Sequence, residues 1–311
     1  MEITLISLDQ ELYCIGIRLL SAYLRRAGHR VQCIFLARQN DKNVRAPKFQ
    51  ALYSPSLLDE VRSLCADSGL IGLSLMTNQF LQAVNVTEYL KGRGIGAPII
   101  WGGVHPTVAA EACLRYADMV CLGEGEEALL ELVDRMEHGR SYLDTRNIWF
   151  NSGHGIIRNP LRPLVQELDG LPFPDYECDW HFLLQGDHIE PLRRDRLVGY
   201  RGERYRAQEG GIHYPILTSR GCPFACTYCC NSAYQRLYPH ERRLRWRSAD
   251  SVVGELRMVR EKIGPLALVS IVDDNFTART EEELRIFCQR YQAEIAVPFA
   301  CQCSPLTITA E

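Results

Sequence analysis

The chain has 311 residues, 46% of them hydrophobic and 23% charged, with a formal net charge of −3. That composition fits an ordinary globular protein of about two domains and excludes disordered, collagen-like and coiled-coil architectures. There is no basic footprint for a nucleic acid, no uncharged apolar run of the ~18 residues a membrane span needs, and no basic secretory start, so a soluble cytoplasmic protein is expected.

Over residues 2–138 strand and helix patterns alternate. Apolar, β-rich runs at Ile3 to Ser7, Val31 to Leu36, Leu70 to Leu75, Pro98 to Trp101 and Met119 to Leu122 are each followed by a helical period. The first helix places Leu19, Leu20, Tyr23, Leu24 and Ala27 on one face and stops at Gly28, which takes the left-handed conformation readily. Five such β-α units imply a parallel sheet with helices on both faces, a flavodoxin-like (Rossmann-like) α/β domain over residues 1–140.

Ligands of such a sheet sit beyond the carboxyl ends of its strands. Leu8 to Ile15 contains no glycine, so the G-x-G-x-x-G turn of a dinucleotide site is absent. The third strand ends in Ser74-Leu75-Met76-Thr77, the fourth in Gly102-Gly103-Val104-His105-Pro106-Thr107, and the fifth in Gly123-Glu124-Gly125-Glu126. Glycines at two neighbouring strand ends admit a large ligand to the backbone. Equally, they make tight strand-to-helix turns, with Glu126 and Glu127 complementing a helix dipole. On the residues alone both readings stand.

Over residues 141–213 the rhythm breaks. Asn147 to Phe150 and Gly155 to Arg158 flank a turn and read as a hairpin, a proline-studded linker runs through Leu171-Pro172-Phe173-Pro174-Asp175, and a short helix is expected near Trp180 to Leu184. A second β-α series occupies residues 214–311. It opens with a strand from Tyr214 to Ser219 and a cysteine-rich loop, and Ser248 then caps a helix with Val252, Leu256, Val259 and Ile263 on one face. The next strand, Leu268 to Val272, ends in Asp273-Asp274-Asn275-Phe276-Thr277. Thr280 and Glu283 form a capping box for a helix carrying Leu284, Phe287 and Tyr291, and Val297 to Cys301 is a third strand.

Thirteen cysteines is the abnormal count. An odd number, in a chain too large to need disulfide staples, points to reduced thiols or a metal centre. Cys33, Cys65 and Cys121 stand in apolar runs and read as small buried hydrophobes. Four others crowd together as Cys222, Cys226, Cys229 and Cys230. The spacing Cys222-x3-Cys226-x2-Cys229, directly after a strand and Arg220-Gly221, suits three thiolates wrapping one iron-sulfur cube with one iron left open. Structural zinc competes, but zinc sites want two ligand pairs separated by a loop, and no histidine has a matching spacing. Cys230 is a conceivable fourth ligand, although consecutive side chains diverge.

The run Thr218-Ser219-Arg220-Gly221-Cys222-Pro223-Phe224-Ala225-Cys226-Thr227-Tyr228-Cys229 resembles the signature of the radical S-adenosylmethionine (SAM) superfamily, including the aromatic residue before the third cysteine. The upstream domain, with its Ser74, Gly102-Gly103 and Gly123-Glu124-Gly125-Glu126 strand ends and the Leu171 to Asp175 linker, is similar to the cobalamin-binding half of the cobalamin-dependent members. The resemblance implies a cobalamin domain followed by the first half of a partial (β/α)6 TIM-like radical SAM barrel. It implies that Cys222, Cys226 and Cys229 hold a 4Fe-4S cluster whose free iron is chelated by SAM, and that Tyr228 packs on the adenine. Asp273, Asp274, Asn275 and Gln302 would line the SAM pocket, the first three in the Asp-Asp-Asn-Phe form of the cobalamin branch rather than the commoner Gly-Gly-Glu form. Helix capping by Asp273 and Asp274 is the competing reading.

For the cobalamin, the resemblance implies contacts from Ser74, Thr77, Gly102, Gly103, His105, Gly123 and Gly125. Many cobalamin proteins ligate cobalt through a histidine in Asp-x-His-x-x-Gly after the first strand. The corresponding Asp9-Gln10-Glu11-Leu12-Tyr13-Cys14 has none, so no histidine of this loop is expected on cobalt. His105 is a possible substitute beside its plainer reading as a helix-start residue.

The implied activity is reductive cleavage of SAM to a 5'-deoxyadenosyl radical, with methyl transfer from methylcobalamin to an unactivated carbon of a small-molecule or peptide substrate. An electron donor such as flavodoxin or ferredoxin would serve it. Oxidative cyclisation, as in tetrapyrrole synthesis, is the alternative within the class, and a non-catalytic cobalamin or metal-binding module the alternative outside it. The barrel series supplies three strands and two helices before the sequence stops, so a truncated, inactive product is expected.

Overall fold

The computed structural model describes residues 1–9, 12–37, 52–199, 211–241 and 243–308. The chain divides into two compact units, Met1–Arg162 with Glu177–Arg193, and Pro163–Tyr176 with Arg194–Glu311.

In the first unit, strands β1 (Glu2–Ser7), β2 (Arg30–Phe35), β3 (Leu70–Ser74), β4 (Ile99–Gly102) and β5 (Met119–Cys121) are interleaved with helices. These are α1 (Ile15–Arg26), α2 (Pro55–Leu64), α3 (Phe80–Gly92), the short α4 (Val104–Val108) and α5 (Ala110–Cys113), and α6 (Glu126–Glu137). All neighbouring pairs among the five strands are parallel, in the order β5-β4-β3-β1-β2. That is the flavodoxin-like winding, with its switch point between β1 and β3. The strands are buried on both faces: Ile3, Ile6, Ile34, Ile71, Ile99, Trp101 and Val120 expose nothing. Trp101 meets its one polar need by donating Nε1–H to Thr87 Oγ1 at 2.9 Å.

Four more strands widen the sheet to nine. The expected hairpin forms as β6 (Ile148–Asn151) and β7 (Ile156–Ile157), and it pairs antiparallel with β5. The helix expected near Trp180 to Leu184 is instead strand β8 (His181–Gln185), parallel to β2 and paired antiparallel with β9 (His188–Pro191). Gly186-Asp187 is the two-residue loop between them, and Gly186 takes φ +61° as a tight hairpin requires. Leu183 and Leu184 are both buried, so the alternation that marks a half-exposed strand is missing.

Helix α1 stops at Gly28 as expected, with φ +98° there. Its buried face differs from the expected one. Ile17, Arg18, Leu19, Ser21 and Leu24 are buried, Leu20 and Tyr23 are half-buried, and Ala27 is exposed. Arg18 takes a core position because its Nε donates to the Leu12 carbonyl at 3.0 Å and its guanidinium lies 4.4 Å from the centre of the Phe35 ring. An apolar pattern cannot register a buried cation.

The second unit holds a parallel sheet in the order β10 (Ile212–Ile216), β13 (Leu266–Ile271), β14 (Phe299–Cys301), and a small ribbon of β11 (Ser219–Arg220) with β12 (Arg245–Trp246). Its helices are α7 (Arg194–Gly199), α8 (Cys230–Leu237), α9 (Ala249–Lys262) and α10 (Glu281–Glu294). Consecutive parallel strands joined by helices are how a β/α barrel begins. Ser248 caps α9 by accepting the Ser251 amide, and the Thr280–Glu283 box caps α10. Val252, Leu256, Val259 and Ile263 are buried, as are Phe287 and Tyr291, which pack with Phe276 and Phe299. The single strand expected from Tyr214 to Ser219 is broken after Ile216, because the Thr218 and Ser219 amides turn aside to the Asp273 carboxylate. No helix of the described residues is long and apolar enough to cross a membrane.

Candidate functional site

The ribbon β11–β12 closes the loop that carries the cysteine cluster. Gly221 follows β11 with φ +87°, and a Cβ there would overlap the Arg243 carbonyl group. Gln235 Nε2 on α8 donates to the Phe224 carbonyl at 2.9 Å, and the Cys229 amide donates to the Cys226 carbonyl at 3.0 Å, which fixes the turn between the second and third cysteines. Cys222, Cys229 and Cys230 are half-buried and Cys226 is exposed. Burial pushes the Cys222 thiol up, the Phe224 amide opposes this, and Asp274, Cys229 and Cys226 add smaller upward contributions. The Cys230 thiol is likewise raised by burial, then by Cys229 and Asp274. Four thiols and one carboxylate thus share one electrostatic neighbourhood.

The donor arrangement suits a cube better than a lone ion. Among the described residues, the group of three donors close enough for a single ion is His29, Asp134 and Glu137, and these already pair with one another and with the Met1 amine. The sulfurs of Cys222, Cys226 and Cys229 do not form such a group, since they do not all lie within 4.8 Å of one another. All thirteen cysteines are free thiols. Cys33, Cys65, Cys113 and Cys121 are buried, and burial pushes Cys65 and Cys121 up to about 12.

The strand-end residues divide. Asp274 is exposed beside Cys222 and Cys230. Asn275 is 1% exposed, and its Oδ1 accepts from Thr277 Oγ1, the Ser304 amide and Thr307 Oγ1 at 3.1 to 3.3 Å. Its Nδ2 is buried without a partner. Gln302 is exposed, and its carbonyl accepts the Phe276 amide at 2.8 Å, so the ends of β13 and β14 meet there. Tyr228 is 92% exposed, with its hydroxyl hydrogen-bonded to Cys226.

Asp273 corrects an expectation. The resemblance implies a place for it in the SAM pocket, yet its side chain is wholly buried and both oxygens are engaged. Oδ1 accepts the Thr218 and Ser219 amides at 2.6 and 3.0 Å, and Oδ2 accepts Thr218 Oγ1 at 2.5 Å and Arg279 Nη1 at 3.4 Å. Arg279 also donates to the Thr218 and Phe276 carbonyls. Asp273 is a brace that fixes the start of the cysteine loop to the end of β13. Thr218 and Arg279 complete that brace, and nothing in their sequence context marks them for it.

In the first unit, Ser7, Ser74 and Gly102 stand in register as one row at the carboxyl edge of β1, β3 and β4, where the winding reverses. Gly103 has φ +101°, and a Cβ there would lie 2.9 Å from the Leu75 carbonyl oxygen. His105 holds Thr77 Oγ1 through Nδ1 at 3.1 Å, while its Nε2 is buried without a hydrogen-bond partner. Thr107 ties the next two loops together, since its hydroxyl donates to the Gly103 carbonyl at 2.8 Å and accepts the Gly123 amide at 3.1 Å. Gly125 lets α6 approach the Leu20 side chain. After β1, Gln10 and Glu11 lie outside the described residues. Cys14 accepts the Ser7 hydroxyl at 3.2 Å, and burial pushes its thiol up to about 12.

Sequence reasoning passed over two sets of residues on this edge. Gln79 spans the switch point by donating to the Leu8 carbonyl and accepting the Met76 amide. Met76 in the loop after β3, Leu81 in the first turn of α3 and Val108 at the end of α4 are 46%, 54% and 47% exposed. Their exposure is visible only in the burial pattern, because in sequence they read as core residues.

Residues 1–133 match the family model of the B12 binding domain, and residues 216–311 match that of the Radical SAM superfamily, together well over half of the chain. The chain belongs to the radical SAM superfamily and carries a B12 binding domain ahead of its radical SAM domain. Within that family it is 27% identical over 223 residues to an uncharacterized methyltransferase of Pyrococcus horikoshii, covering 71% of this chain and 42% of that protein. It is 26% identical over 196 residues to the anaerobic magnesium-protoporphyrin IX monomethyl ester cyclase of Synechocystis sp., covering 62% and 35%. The radical SAM methyltransferase TsrM of Kitasatospora setae, solved with tryptophan and a SAM analog, superposes with a TM-score of 0.64 at 17% identity, over 94% of this chain and 52% of that one. This likeness shows that the chain has the fold of the matched half of TsrM. The chain spans about half the length, or less, of these relatives.

Proposed function

We propose that the protein is a cobalamin-dependent radical SAM enzyme that cleaves SAM reductively and transfers a methyl group to an unactivated carbon of a small-molecule or peptide substrate. The cysteine loop carries this reading: three thiols at the spacing Cys222-x3-Cys226-x2-Cys229 on a braced loop, with Asp274 beside them at the end of the next strand. Cys222, Cys226 and Cys229 would each hold one iron of a 4Fe-4S cluster and leave the fourth for the amino and carboxylate groups of SAM. Asp274, Gln302 and the unpaired Nδ2 of Asn275 are the polar groups offered to SAM, and the exposed ring of Tyr228 would pack on the adenine. Asp273 drops out of that set. When bound, the reduced cluster would supply the electron for cleavage of a sulfonium bond and cobalamin would supply the methyl carrier. The chain's own part is to fix these groups and exclude water. A reduced electron carrier of the flavodoxin or ferredoxin type would feed the cluster.

In the first unit, Ser74, Thr77, Gly102, Gly103, His105, Gly123 and Gly125 would line the cobalamin slot, with Met76, Leu81 and Val108 as apolar contacts. The close approach at Gly103 makes a test of that slot. Gly103→Ala should weaken cobalamin binding at least ~10-fold, read by equilibrium dialysis, because a left-handed residue and its neighbouring carbonyl must both move. Unchanged binding would remove this loop from the slot.

The activity is tested on anaerobically reconstituted protein. SAM should perturb the electron paramagnetic resonance spectrum of the reduced cluster, and a low-potential reductant should then yield 5'-deoxyadenosine. A fully assembled cluster whose spectrum ignores SAM would end the enzyme reading. A ring-closed product without a new methyl group would move it to cyclisation, the activity named for the Synechocystis relative.

A further inference from the structure

Among the described cysteines of the loop, Cys229 is treated differently from its neighbours. It is the N-cap residue of α8, so its side chain stands where the helix's unpaired amides and positive dipole end lie. Asn231, in the first turn of that helix, donates from Nδ2 to Cys229 Sγ at 3.6 Å, and the Cys230 thiol is hydrogen-bonded to the same sulfur. By contrast, Cys222 receives the Phe224 backbone amide, and Cys226 faces solvent with the Tyr228 hydroxyl. Asn231 is half-buried, has no other polar contact among the described residues, and so is committed to this sulfur.

We propose that Asn231 is a positioning residue that orients the Cys229 thiolate and raises the reduction potential of the cluster. The proposal rests on the reading above, in which Cys229 ligates iron. Each added electron increases the negative charge on the cluster's sulfurs, so a donor aimed at one of them stabilises the reduced state more than the oxidised one. The dipole of α8 acts in the same sense. Groups that orient a metal's ligands shape its chemistry nearly as much as the ligands themselves. Cys230 is a second donor to the same sulfur rather than a fourth ligand, which reconciles adjacent cysteines with one cluster: only one of the pair binds iron.

The test is a redox titration of the reconstituted chain followed by electron paramagnetic resonance. Asn231→Leu keeps the bulk and removes the donor. It should retain full iron and sulfide but be about tenfold harder to reduce, a fall of ~59 mV for a one-electron couple. Asn231→Gln, which restores an amide, should recover part of the difference, a pattern that mere packing would not produce. Cys230→Ser should keep its iron. A full cluster with an unchanged potential in Asn231→Leu overturns the proposal, and so does loss of iron in Cys230→Ser. If Asn231→Leu itself loses iron, the unaltered protein carries the test. Labelling with 15N in the asparagine side chain must then add a weak nitrogen coupling to the pulsed spectrum of the reduced cluster, and its absence overturns the proposal. Failure of the unaltered protein to assemble any cluster would instead overturn the functional reading beneath it.

Discussion

Gly221→Ala is expected to abolish cluster incorporation while leaving the first unit folded. The residue sits at φ +87°, a conformation that costs an L-amino acid ~1 to 2 kcal/mol. Strain of that size alone is tolerable, and the decisive cost is steric. The new Cβ would overlap the Arg243 carbonyl, with its carbonyl carbon only 2.9 Å away. Arg243 cannot retreat cheaply, because its carbonyl accepts Arg245 Nε at 3.1 Å and Arg245 is held in turn by the Val165 carbonyl and by pairing with Arg220. The loop must therefore open at its base, one residue before Cys222. Iron and sulfide content after anaerobic reconstitution should fall close to zero, with hydrogen exchange over residues 1–137 unchanged. A full complement of iron would show that the loop does not need this closure.

Asp273→Ala should be the most destabilising single change in the second unit. Removing the carboxylate leaves the Thr218 and Ser219 amides and the buried Arg279 guanidinium without their acceptor. Burial already depresses the Arg279 pKa and Asp273 opposes that depression, so the cation would lose its compensation. Stripping one partner from a buried ion pair costs about 3 to 5 kcal/mol. At 1.4 kcal/mol per tenfold, amide exchange in peptides spanning residues 212–220 and 266–276 should accelerate by roughly two to three and a half orders of magnitude. Asp273→Asn keeps the shape and one acceptor and should fall between. If exchange there is unaltered while SAM fails to perturb the cluster spectrum, Asp273 is a ligand contact after all and the brace reading is wrong.

These two residues also show where sequence reasoning succeeds and where it stops. The spacing of Cys222, Cys226 and Cys229 is legible because a cube dictates it locally, and the parallel core of the first unit is legible because strands buried on both faces must be apolar throughout. Capping at Ser248, Thr280 and Glu283 follows a local rule and holds. What escaped depends on partners distant in the chain. Asp273 and Asp274 are consecutive and chemically identical, and only the fold decides that one is a brace and the other faces the thiols. Arg18 passes for a surface residue until Phe35 and the Leu12 carbonyl are placed around it. Trp180 to Leu184 passes for a short helix because the β2 edge that makes His181 to Gln185 a strand lies far upstream. Met76, Leu81 and Val108 look like core residues in any sequence and become informative only once found exposed.

The pairing of β8 with β2 has a consequence during synthesis. Cys33 and His181, joined by the Cys33 amide and His181 Nδ1 at 3.1 Å, are 148 residues apart. A ribosome adding 5–20 residues per second needs roughly 7 to 30 s to cover that distance. Strand β1 precedes this interval and β3, β4 and β5 are made within it, so the parallel core can assemble while the outer rim of β2, with Cys33, Ile34 and Phe35 on it, still lacks its neighbour. An unpaired, apolar strand rim on a nascent chain is a template for pairing with another copy on the same polysome. Slow translation between residues 137 and 181 would lengthen that exposure, and yield of soluble protein should therefore respond to codon speed in this stretch more than to the same change elsewhere.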